Sequence, residues 1–170
     1  MGTNLGLCKK IENGTIMTGM GFYEMKQPQG NQVPLSQQQW PEGTVPWVSI
    51  LCITYNHANF IRDAIEGFLM QETTFPVEIL VHDDASSDGT AQIVLSYEQK
   101  YPQLITGIYQ KTNQYSQKVS PTKFFQPHIK GRYLAFCEGD DYWRDVNKLE
   151  IQIGYLESHP DCAISGHDAI

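Results

Sequence analysis

The chain has 170 residues, carries a net charge of −7 from 12 Lys+Arg against 19 Asp+Glu, and is 41% hydrophobic, 11% aromatic and 18% charged. That balance is too apolar and too weakly charged for a disordered polyelectrolyte, and the length fits one folded domain with a tail. It also lacks the clustered Lys/Arg that nucleic acid requires, and no run approaches the roughly 18 apolar residues of a membrane span. The expectation is a cytoplasmic product with no nucleic-acid partner and no transmembrane segment, leaving only peripheral contact with a membrane open.

Residues 1–45 are rich in Gly, Gln and Pro, with Gln37, Gln38 and Gln39 running into Trp40-Pro41. They show no sustained periodicity and read as an extension or linker, in which short apolar stretches such as Ile16-Met17 and Phe22-Tyr23 either add an edge strand or pack on the domain, since Trp40 and Trp47 are costly to leave in water. Residues 46–170 read as the domain. Val48 to Thr54 is apolar and β-branched, the pattern of a strand buried on both faces. Asn59 is then a candidate N-cap for a helix with Ile61, Ile65, Phe68 and Leu69 on its inner stripe.

Val77 to His82 is a second strand, and Asp88 a candidate cap for a helix that turns Ile93, Val94 and Tyr97 inward and stops at Tyr101-Pro102. Leu104 to Tyr109 is a third strand. Residues 110–121 are polar and turn-like, and a short helix at 124–129 precedes Gly131 and a fourth strand, Tyr133 to Cys137. Asp145 is expected to cap a helix carrying Leu149, Ile153 and Leu156, and Cys162-Ala163-Ile164 is a fifth apolar run. Strands alternating with helices at this spacing predict an α/β fold, a mostly parallel sheet with helices on both faces that breaks off after the fifth strand. Cys8, Cys52, Cys137 and Cys162 form no CxxC pair and read as small buried thiols in a reducing compartment.

Ligands of open α/β sheets collect at the carboxyl ends of the strands. There the sequence places Thr54-Tyr55-Asn56, then Asp83-Asp84-Ala85-Ser86-Ser87-Asp88, then Glu138-Gly139-Asp140-Asp141-Tyr142-Trp143. No GxxxxGK[ST] is present and no GxGxxG follows the first strand, which excludes a P-loop and a dinucleotide fingerprint. Carboxylates without a basic phosphate cradle repel a diphosphate unless a divalent cation stands between them. Glu138, Asp140 and Asp141 offer the hard oxygen ligands that suit Mg²⁺ or Mn²⁺.

Three blocks, V-S-I-x-C-I-T-Y-N-H at 48–57, V-E-I-L-V-H-D-D-A-S-S-D-G-T at 77–90 and G-R-Y-L-A-F-C-E-G-D-D-Y-W at 131–143, resemble the inverting family 2 glycosyltransferases. The third resembles a bacterial subgroup in which E-G-D-D-Y-W replaces D-x-D-D. The resemblance implies the Rossmann-like GT-A fold, a UDP- or GDP-sugar donor, a glycan, lipid-linked or protein acceptor, cell-surface polysaccharide synthesis, and a Mn²⁺ or Mg²⁺ cofactor. By position it implies that Tyr55 stacks on the base, that the Thr54 backbone and Asn56 hold base and ribose, and that Asp83 accepts a hydrogen bond from a base N–H. It implies Glu138 beside the ribose or sugar and Asp140 on the metal. Lys118 is the nearest match to an arginine that meets the diphosphate. The family's catalytic base is an acid on a later segment; the chain stops at Ile170, and Asp168 is the one late acid at the right rim.

Several of these residues have plainer readings. Asp84, Asp88, Gly89 and Thr90 suit turns and caps; Tyr142 and Trp143 are either pocket lining or packing anchors; His57 and His82 are not paired at metal-ligand spacing; and His167-Asp168 either touches an acceptor or carries nothing. The rival reading is a nucleotide-binding module without transfer activity, distinguished by the missing base. A receiver-like domain is disfavoured, since its acids follow strands one and three and these follow two and four.

Overall fold

The structure is a computed structural model that describes residues 32–166 and, by backbone alone, 7–12 and 15–20. It divides into two units, residues 32–146 and residues 1–31 with 147–170.

The larger unit is built on a four-stranded sheet. Its strands are β4 (Val48–Thr54), β6 (Val77–Asp83), β7 (Ile105–Tyr109) and β8 (Tyr133–Glu138), in the order β7-β6-β4-β8. All three pairings are parallel. Every residue of β6 is buried, as are all but one of β4, which is why both read as predominantly apolar runs; the buried Glu78 of β6 accepts from the Ser49 hydroxyl of β4 at 2.6 Å.

Helix α1 (Ile61–Leu69) links β4 to β6 and α2 (Thr90–Lys100) links β6 to β7. Two right-handed crossovers stepping the same way put both helices on one face; the return to β8 on the far side of β4 reverses the direction and puts α3 (Thr122–Phe125) on the other. On that second face Phe125 packs with Leu51 and Leu80, flanked by Ile53, Ile108 and Ile129. The reversal falls between β4 and β8, so the topological switch point lies at the carboxyl ends of those two strands.

Residues ahead of the sheet also belong to this unit. β3 (Val33–Pro34) pairs with β5 (Glu72–Thr73), Leu35 is buried, and Trp47 stacks on Phe75 at 5.5 Å. After β8 the chain runs back along α1: Trp143 meets Phe68 edge-on at 4.9 Å, and Gln71 Nε2 donates to the Asp145 carbonyl at 2.7 Å. Trp143, 6% exposed, is therefore a packing anchor, while Tyr142 stays exposed.

In the smaller unit β1 (Leu7–Glu12) pairs antiparallel with both β2 (Thr15–Met20) and β9 (Cys162–Gly166), and α4 spans Lys148–Ser158. Two strands thus lie in the stretch whose composition reads as an extension. The fifth apolar run is a strand, but it joins this antiparallel sheet and not the parallel one, a correction to the expected topology. Cys162 is disulfide-bonded and not a thiol, a second correction; Cys52 and Cys137, neighbours across β4 and β8, are buried thiols. Burial, with Cys137 and two carboxylates nearby, pushes the Cys52 thiol well above its ordinary range and makes it inert.

Three expected caps shift. α1 begins without a side-chain cap from Asn59, because the His57 carbonyl already accepts from the N–H groups of Phe60 and Ile61 at 2.9 Å each. At α2 the cap position is Gly89, at φ 100°, with Asp88 one residue earlier accepting from Thr90. α4 starts after Asn147, beyond Asp145. The short helix before β8 begins two residues earlier than expected and ends at Phe125, with turns carrying the chain on to Ile129.

Candidate functional site

Parallel register brings the carboxyl ends of the strands into line: Thr54 faces Asp83, Ile53 faces Glu138, and Asp83 faces Tyr109. The rim residues singled out by sequence at 54–56, 83 and 138–140 therefore share one edge.

The first two loops are laced together. Asn56, in the left-handed region at φ 55°, donates its backbone N–H to Ser86 Oγ and accepts from Ser87 N–H at its side-chain oxygen, each at 2.9 Å. Ala58 N–H donates to Asp88 Oδ2 at 3.0 Å, while Asp88 Oδ1 accepts from the Thr90 hydroxyl at 2.6 Å. Those hydrogen bonds, the hydroxyl's first, hold the Asp88 carboxyl below its ordinary range and make it a structural acid. Tyr55 is left 45% exposed on this fixed turn.

Asp83 and Asp84 are both buried yet differ in kind. Asp84 accepts from the N–H groups of Gln114 (2.7 Å) and Tyr115 (3.0 Å), which fastens the segment after β7 to the end of β6. That segment carries Lys118, exposed and at φ 60°. Asp83 Oδ2 accepts from Ser86 N–H at 3.1 Å, but its Oδ1 is buried with no hydrogen-bond partner. Such an atom normally has a partner, and an acceptor without one at a strand end is a place for a ligand donor.

Glu138, the last residue of β8, and Asp140 and Asp141 just beyond it are exposed. Gly139 N–H donates to the Ile53 carbonyl at 2.8 Å and draws the turn against β4. A Cβ at Gly139 would lie 2.7 Å from Thr54 Oγ1 and 3.0 Å from His57 Nδ1, so only glycine permits this approach. Among the described residues, the cation-capable group beside the Asp140 carboxylate is His57, with Nδ1 at 3.7 Å from Oδ1. Asp168 lies outside the described residues.

These residues fit a hard divalent cation. Among the described residues no three His, Cys, Asp or Glu converge as a closed cage, yet Asp140 is 46% exposed and offers its oxygens to solvent. Mg²⁺-like sites commonly use one or two carboxylates and complete their shell with water and substrate phosphates.

One histidine lies outside this chemistry. His82 is fully buried on β6, stacked on Phe124 at 5.2 Å, with neither ring nitrogen hydrogen-bonded. Burial lowers its pKa from 6.5, outweighing the pull of Asp84 and Asp83 in the other direction. The folded state thus binds fewer protons than the unfolded one, and stability is expected to fall as pH drops through about 6.5 toward the lowered folded value. Urea unfolding between pH 8 and 5 checks this: His82→Leu should flatten that part of the profile, and an unchanged profile would clear His82 of the effect.

A parallel α/β sheet with a polar, acid-bearing rim at its switch point belongs to the doubly wound class of architecture, whose ligands bind at that place. The comparisons make it specific: the glycosyl transferase family 2 profile matches residues 49–170, and the chain belongs to that family. An uncharacterized protein of Mycobacterium tuberculosis is 42% identical over 123 residues, 71% of this chain and 34% of that one. The putative teichuronic acid biosynthesis glycosyltransferase TuaG of Bacillus subtilis is 33% identical over 120 residues, 71% of this chain and 45% of its own length. The Escherichia coli enzyme WfgD, a UDP-Glc:α-D-GlcNAc-diphosphoundecaprenol β-1,3-glucosyltransferase, is 35% identical, with 64% of this chain and 40% of WfgD covered.

Among solved structures, S. aureus TarS 1–349 in complex with UDP superposes with a TM-score of 0.54 at 27% identity, covering 66% of this chain and 32% of that one. A Pyrobaculum calidifontis mannosyltransferase solved with GDP-Man and Mn²⁺ gives a TM-score of 0.56 at 21% identity, over 77% of this chain and 36% of its own, a likeness of fold. The chain spans between a third and a half of the length of these curated relatives. Among the described residues no helix is long and apolar enough to cross a membrane.

The sequence missed two contacts. Asp84 reads as turn chemistry, and nothing local marks it as the clamp of a segment 30 residues away. His57 carries no ligand spacing, and its proximity to Asp140 comes only from the pairing of β4 with β8.

Proposed function

We propose that residues 46–170 are the donor-binding part of an inverting glycosyltransferase that takes a UDP- or GDP-sugar with a divalent cation and serves cell-surface polysaccharide synthesis. The observation that carries this reading is the buried, unpartnered Oδ1 of Asp83, an acceptor placed where a base N–H would enter. Tyr55 supplies an exposed ring for the base to stack on, and Asn56, locked to Ser86 and Ser87, keeps that ring in place. Glu138 stands at the β8 end toward ribose or sugar, Asp140 holds the metal, and Lys118 faces the diphosphate. When bound, the cation supplies a Lewis acid that offsets charge growing on the departing nucleoside diphosphate.

Inversion requires a carboxylate base that removes the acceptor hydroxyl proton during one in-line displacement. No described residue is assigned that part. The GlcNAc-diphosphoundecaprenol acceptor of WfgD supports a lipid-linked diphosphate as the acceptor class, and the name of TuaG supports a role in polysaccharide synthesis through teichuronic acid.

Calorimetric titration of the chain with UDP and with GDP, each with and without Mn²⁺, tests the reading. One nucleotide should bind and should bind more tightly with metal; absence of binding by either, with Mn²⁺ present, would overturn it.

A further inference from the structure

Asp140 has been given the metal, which raises the question of what fixes its carboxylate. Carboxylates that ligate a metal are themselves hydrogen-bonded by a surrounding shell, and that shell sets their orientation. In this structure the neighbouring group is His57. Its Nδ1 is buried without a hydrogen-bond partner and stands 3.7 Å from Asp140 Oδ1. A buried imidazole nitrogen left unpaired carries a desolvation cost that a nearby acceptor would relieve. Moving the carboxylate closer by about 0.8 Å would complete an N–H···O bond of ordinary length.

The surroundings of His57 show why the imidazole, not the carboxylate, is the fixed partner. Its backbone carbonyl accepts from the N–H groups of Phe60 and Ile61, which binds it to the start of α1. Asn56 before it is laced to Ser86 and Ser87, and Ala58 after it to Asp88. On the other side Gly139 has no Cβ, and one placed there would lie 3.0 Å from Nδ1. The opening that glycine leaves is the one through which the imidazole meets the turn bearing Asp140.

We propose that His57 is a positioning residue for Asp140: with a proton on Nδ1 it donates to the carboxylate and turns the other oxygen toward the cation, without ligating the metal itself. The inference rests on Asp140 holding the metal, as read above. Two substitutions separate this role from bulk packing. The amide nitrogen of asparagine falls near the place of Nδ1, whereas that of glutamine falls near Nε2. His57→Asn should therefore retain what His57→Gln loses.

The measurement is free Mn²⁺ by electron paramagnetic resonance during titration of the chain with UDP or GDP present, beside metal-free nucleotide affinity as a control on folding. Mn²⁺ affinity should fall roughly tenfold or more in His57→Gln and stay within about twofold in His57→Asn. Metal-free nucleotide binding should be unchanged in both. In the unaltered chain, the ¹⁵N resonance of His57 Nδ1 should move to a hydrogen-bonded donor position when Mg²⁺ and nucleotide are added.

Equal Mn²⁺ affinity in the Gln variant, equal losses in the Asn and Gln variants, or an unmoved Nδ1 resonance would overturn the proposal. Mn²⁺ binding that Asp140→Ala abolishes and His57→Gln leaves intact overturns this inference alone. Failure of the unaltered chain to bind Mn²⁺ with either nucleotide overturns the reading of Asp140, and this inference with it.

Discussion

Replacing Asp140 by alanine is expected to abolish the gain in nucleotide affinity that Mn²⁺ confers, while leaving metal-free affinity the same or slightly higher. The two halves of that expectation have one electrostatic cause. Glu138, Asp140 and Asp141 stand exposed on one turn, and without a cation they repel a diphosphate. A divalent ion screens both sides, so metal and nucleotide bind cooperatively; couplings of this kind are typically about 1–3 kcal/mol, or roughly 5- to 150-fold.

Removing the ligating carboxylate removes the coupling and, with it, one repelling charge. Because the side chain is 46% exposed and makes no hydrogen bond among the described residues, its loss should leave the fold intact. Calorimetry of UDP and GDP, with and without Mn²⁺, reads both quantities. A coupling that survives Asp140→Ala would move the metal to Glu138 or Asp141, and a fall in metal-free affinity would show that Asp140 touches the nucleotide directly.

The rim was legible in sequence because β4 and β6 are buried on both faces, so their apolar runs end abruptly where the chain meets solvent at Thr54 and Asp83. Once the alternation of strand and helix is recognised, the polar residues after each run must lie along one edge. The destination of Cys162-Ala163-Ile164 was not legible in the same way. A short apolar run specifies a strand but not its partner, and here the partner is β1, more than 150 residues earlier in the chain. The cap of α1 misled for a local reason: the His57 carbonyl satisfies the helix start, so Asn59, nearer the apolar stripe, was not the residue making the bond, whereas Asp88 does bond to Thr90, from one residue before the cap position. The orphaned Oδ1 of Asp83 has no sequence signature either, since two adjacent acids look alike until one is seen to clamp Gln114 and Tyr115 and the other is not.

That difference between adjacent acids leads to opposite effects of one substitution on stability and on binding. Asp83 is 2% exposed, and only Oδ2 is satisfied, by Ser86 N–H at 3.1 Å. In the absence of ligand, the free oxygen is a buried acceptor whose water has been removed without replacement, which costs folding free energy. Asp83→Asn keeps the shape, lets the amide oxygen continue to accept from Ser86, and removes the charge, so the variant should be as stable as the unaltered chain or more so. The same change puts an NH₂ group where a base N–H would arrive, so that donor meets donor. Loss of a hydrogen bond to a charged acceptor is worth about 1.5–3 kcal/mol, which corresponds to roughly a ten- to hundredfold weaker nucleotide complex. Thermal unfolding and nucleotide titration of the same preparation decide the matter together: a variant that loses stability shows Asp83 to be a structural acid, and one that keeps both stability and affinity removes it from the site.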